Sequence, residues 1–120
     1  MHKLKPMYEI NNLGAKIFYE MLKPNNFNKI KKSAKHQLEA KKNFKLQLRK
    51  LNFEVLENKG NFLHVNFGRK HKIITNEISK IAYFRKKENH PCLKNFSRFT
   101  ITNKTNFNKV IKVIKKCLKK

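Results

Sequence analysis

The hydrophobic pattern predicts an α+β domain, a small and mainly antiparallel sheet packed against helices. Three observations carry that expectation. Apolar residues recur at three- and four-residue steps in several stretches and at every second residue in others. The alternating stretches are adjacent in sequence and separated by turn residues. Helical and extended stretches come in runs and do not alternate one by one, which argues against a parallel, doubly wound sheet. The predicted order is α-α-β-β-α-β-β-α within one domain spanning residues 1–120.

In NLGAKIFYEML, Leu13, Ile17 and Met21 lie four apart with Phe18 and Leu22 beside them, a short amphipathic helix that Pro24 ends. The next segment places Phe27, Ile30, Ala34, Leu38, Phe44, Leu48 and Leu51 on roughly one face and lysines on the other, giving a long helix up to about residue 51. The period then changes. Phe53 and Val55 precede Asn58-Lys59-Gly60, and Leu63, Val65 and Phe67 alternate with His64 and Asn66, which reads as two strands joined by a turn. Ile74, Ile78 and Ile81 return to helical spacing; IAYF leads into Arg85 as a strand; a loop with Pro91 follows, then SRFTI as another strand. Phe107, Val110, Ile111, Ile114 and Leu118 mark a terminal helix behind a Thr105 cap.

Thirty Lys and Arg against seven Asp and Glu give a formal charge of +23, which favours nucleic acid, anionic lipid or acidic partners. Lysine supplies twenty-six of those thirty, and Asn, Ile and Phe are also abundant, a joint bias that an A/T-rich coding sequence produces without selection for binding. Cys92 and Cys117 make no disulfide framework and no zinc spacing, so free thiols in a reducing compartment are expected. The first twenty residues lack an apolar core run, and no stretch approaches the length of a membrane span. The expectation is a cytoplasmic protein without a membrane partner.

Chemistry-bearing patterns are few. Ser33, Ser79 and Ser97 lack a neighbouring His-acid pattern, the seven acids form no paired-carboxylate motif, and Gly14, Gly60 and Gly68 make no glycine-rich phosphate loop. His64 is placed on the polar side of its strand, His90 and Cys92 read as a loop pair, and Phe62, Phe84, Phe96 and Phe99 read as core. Arg85 and Arg98 stand out. Two of the chain's four arginines close one predicted strand and open the next, so the intervening loop brings both guanidinium groups to one sheet edge. Arginine offers a planar fork that holds a carboxylate or phosphate through two parallel hydrogen bonds, which lysine does not.

The stretches KPMYEINNLGAKIFYEML, LNFEVLENKGNFLHVNF and ISKIAYFRKKENHPCLKNFSRFTITNKTNFNKVIKVIKK, with Asn61-Phe62, the Arg85 strand end and Ser97-Arg98-Phe99-Thr100-Ile101, resemble the C-terminal small domain of class I/II, fold type I, pyridoxal-phosphate-dependent aminotransferases. The histidinol-phosphate aminotransferase-like branch is the closest in pattern. The resemblance implies Arg98 as the substrate anchor for a carboxylate or phosphate and Arg85 as its helper, and pyridoxal 5'-phosphate as cofactor of the intact enzyme. The region with the Schiff-base lysine has no counterpart here, which implies a chain inactive alone that a large-domain polypeptide or a homodimer would complete. Asn103 stands where the family has glycine, and Ser97 replaces an apolar residue. A different class, a small basic protein binding the phosphates of RNA or DNA, is the alternative, with affinity falling steeply with salt.

Overall fold

The computed structural model describes residues 11–56, 58–87, 89–93 and 95–119. Residues 1–10 of the first twenty, read as lacking an apolar core run, fall outside that range. Four helices and three strands follow in the order α1 (Asn12–Leu22), α2 (Pro24–Lys50), β1 (Glu54–Leu56), β2 (Phe62–Asn66), α3 (His71–Ser79), β3 (Phe96–Thr100) and α4 (Lys104–Leu118). The α+β class is as the sequence predicts. The chain divides into two compact units, one up to Lys35 and one from His36 onward.

In the first unit, the Asn11 side chain accepts the Gly14 N–H at 2.6 Å and so starts α1. Pro24 is the first residue of α2, where its missing N–H costs nothing. It therefore opens the second helix, a sharper role than ending the first. None of the α1 residues is buried. Phe27 and Ile30, predicted to lie on a covered stripe of α2, are exposed as well; in the part of α2 that belongs to the second unit Leu38 is exposed, and Ala40, Phe44 and Leu48 are buried.

The second unit holds the core. β1-β2-β3 form an antiparallel sheet with Val55 opposite Val65, and Leu63 opposite Phe99. Leu63, Val65 and Phe99 share the covered face with Phe44 of α2, Ile74 and Ile78 of α3, and Phe107, Ile111 and Ile114 of α4. Phe44 is the hub: its ring stacks on Phe107 at 4.0 Å between centroids and meets Phe99 edge-on at 5.8 Å. Such pairs add about 0.5–1.5 kcal/mol each beyond the area they bury. Lys41 reaches from α2 to the carbonyls of Asn58 and Gly60 at 2.8 and 2.7 Å, fastening the β1–β2 turn. Lys70 donates to the carbonyls of Cys117 and Leu118, a cation at the negative end of α4.

One expected strand is reduced to a single bridge. IAYFR contributes only Arg85, paired with Arg98 of β3, so the observed order is α-α-β-β-α-β-α. The amides of Ile81 and Ala82 explain it: both donate back to the carbonyl of Ile78 and extend the end of α3, leaving too few residues to run alongside β3. Cys92 is exposed and Cys117 buried, both free. Among the described residues no helix is long and apolar enough to cross a membrane, and no cluster of His, Cys, Asp or Glu has the geometry to hold a metal ion.

Candidate anion-binding face of the sheet

Because side chains alternate along a strand, burying Leu63, Val65 and Phe99 turns Phe62, His64, Arg98 and Thr100 to the opposite face. His64 lies directly across from Arg98 in the β2–β3 register. On the other side of β3, Arg85 and Arg98 exchange both backbone hydrogen bonds, at 3.1 Å from the Arg85 N–H and 2.8 Å from the Arg98 N–H. Residues paired in this way project to the same face about 5.5 Å apart at Cα. The row His64, Arg98, Arg85 therefore crosses the open face perpendicular to the strands.

Phe62 supports the row from one end. Its ring lies 5.5 Å from the Arg98 guanidinium carbon and meets His64 edge-on at 5.2 Å. A ring beneath a guanidinium stabilises it by cation–π attraction and restricts its rotation. Gly60 makes room for that ring, since a Cβ there would come within 2.7 Å of Phe62 Cε1. The turn sequence Asn58-Lys59-Gly60 thus reaches the site through Phe62.

The structure brings Arg85 and Arg98 together as the sequence predicts, but Arg98 sits in the middle of β3 and does not open it, and Arg85 is a bridge residue and not the end of a strand. Of the four phenylalanines expected in the core, Phe99 is there and Phe84 stacks on it at 4.7 Å; Phe96 is buried outside the main core cluster, and Phe62 belongs to the arginine face. The exact register opposite Arg98 was the missed signal for His64 and Phe62. The two-residue period places them on that face, and the pairing partner that matters is non-local. Ser79 donates to the Thr75 carbonyl and the Cys92 N–H donates to His90 Nδ1, both local contacts.

No protein-family model and no curated protein matches this chain. Among solved structures, it is similar to a decarboxylase from Sulfurospirillum multivorans, with a TM-score of 0.75 and 14% identity over 92% of this chain and 33% of that one. The chain therefore spans about a third of the length of that structure. At this identity the likeness establishes the fold. It also corrects the aminotransferase resemblance: this solved structure of the same fold is a decarboxylase, and no aminotransferase or pyridoxal phosphate assignment is supported. The physical reason is that most of the quoted similarity is apolar periodicity, which specifies a fold and leaves the reaction open.

Proposed function

We propose that Arg98, assisted by Arg85, grips the carboxylate or phosphate end of a small-molecule substrate on the open face of the sheet. On this reading the chain supplies the substrate anchor of an enzyme of decarboxylase type, whose substrate carries a carboxylate by definition. The single observation that supports the reading is the two-way backbone bridge between Arg85 and Arg98, which sets the two arginines side by side on one face of the sheet. Each planar fork can hold a ligand oxygen pair through two parallel hydrogen bonds, and His64 lies across from Arg98 in the same row.

Calorimetric titration of the full chain with small carboxylates and phosphomonoesters tests this, comparing Arg98→Lys with the native protein. A point charge does not replace a fork, so the variant should bind its best ligand about tenfold more weakly or worse. Equal affinity in Arg98→Lys, or no saturable binding to any ligand of this class, overturns the proposal. The +23 charge supports a second reading, binding to nucleic-acid phosphates. That reading calls for affinity steeply dependent on salt and indifferent to Arg98→Lys.

A further inference from the structure

A cleft of about 990 Å³ opens where β2 ends at Asn66 and the chain approaches β3 through Asn95. Arg69 and Lys72 from the start of α3 and the turn before it, and Lys86 and Lys87 from the segment after Arg85, bring four cations to its walls from two segments, and Asn76 and Asn95 add side-chain amides. Among the described residues no carboxylate lines it. Lys86 Nζ donates to Asn76 Oδ1 at 3.4 Å, which ties the segment after Arg85 to α3 across the cleft. His71 also lines the wall, and its Nδ1 is buried without a hydrogen-bond partner. Neither Arg85 nor Arg98 contributes to this lining, so the cleft does not include the proposed substrate anchor.

We propose that this cleft binds a small oligophosphate, such as the phosphate chain of a nucleoside triphosphate. Its volume lies at the upper end of small-ligand sites, about 300–1,000 Å³, large enough for a nucleotide. Cations brought from two segments onto a concave surface suit a compact polyanion, and the asparagine amides can donate to oxygens between the charges. A nucleic-acid duplex presents a convex rod, which a concave wall of this size fits poorly. Crowded positive charge already has a local effect: burial first, and Lys87 second, hold the His71 imidazole below its usual value of 6.5.

The test measures binding of inorganic tripolyphosphate and of ATP to the full chain at one fixed salt concentration. Lys72→Gln, Lys86→Gln and Lys87→Gln together should weaken both at least about tenfold, because each removes a charge-assisted contact. The charge-matched control, Lys112→Gln, Lys115→Gln and Lys116→Gln on the exposed side of α4, should change affinity less than about twofold. Arg98→Lys should leave oligophosphate binding intact, which separates this site from the proposed substrate anchor. Equal weakening by the control triple, loss with Arg98→Lys, or equal competition by single-stranded RNA at the same phosphate concentration overturns the proposal. If the cleft triple fails to fold, NMR of the native chain decides: tripolyphosphate must shift the side-chain amides of Asn76 and Asn95, and shifts confined to other surfaces refute it.

Discussion

Ser97 donates its hydroxyl to the backbone carbonyl of Lys86 at 2.7 Å, immediately beyond the Arg85–Arg98 bridge. Ser97 is fully buried opposite Val65, at a position where alternation places an apolar side chain. The hydroxyl bond ties the segment after Arg85 to β3. Ser97→Ala should therefore cost about 1 kcal/mol of stability, the typical value of one such bond. It should also speed hydrogen exchange at the Arg85 and Arg98 amides more than at amides of the β1–β2 pair. Urea unfolding and amide exchange measure the two effects; unchanged exchange at Arg85 would show that the hydroxyl does not fix the bridge.

Asn103 caps α4. Its side-chain oxygen accepts the Asn106 N–H at 2.9 Å while its own backbone stays extended, so Asn103, and not Thr105, starts the helix. Asn103→Ala removes that acceptor and should cost about 0.5–2 kcal/mol, whereas Asn103→Gly should cost only a few tenths. Urea midpoints for the pair of variants check the ranking. Because α4 carries Phe107 into the stack with Phe44, the loss should appear as global destabilisation and not as fraying of one end.

The parts of the fold that rest on local periodicity were legible in the sequence: the β1–β2 hairpin, the Ile74 and Ile78 face of α3, and the Phe107 to Ile114 stripe of α4 all lie where spacing puts them. Periodicity misled on the first half of α2. Phe27, Ile30 and Leu38 have helical spacing, yet they are exposed, because a pattern records which face is apolar and not whether another element packs on it. The strand ending at Arg85 failed for a related reason. Its length depends on how many amides the end of α3 retains, a competition between hydrogen-bond partners that side-chain hydrophobicity does not report. The arginine pair was legible because arginine is rare among so many lysines, whereas the basic cleft was hidden by that same abundance.

His71 makes stability depend on pH in a direction that follows from its surroundings. Burial and the neighbouring Lys87 lower its folded-state pKa, so below about 6.5 the unfolded chain binds the proton more readily than the folded one. Stability therefore falls as pH drops from about 6.5 toward the depressed folded value, and none of this contribution is lost above pH 7.5. Carboxylates titrate lower on the scale and are shared by native and variant chains, so the difference between native protein and His71→Gln isolates the imidazole. Urea midpoints at pH 7.5 and pH 5.5 should drop more for the native chain than for His71→Gln. Lys87→Gln, which removes the second cause and leaves the first, should show an intermediate drop, and a native chain no more acid-sensitive than His71→Gln would show that burial and Lys87 do not act on this ring.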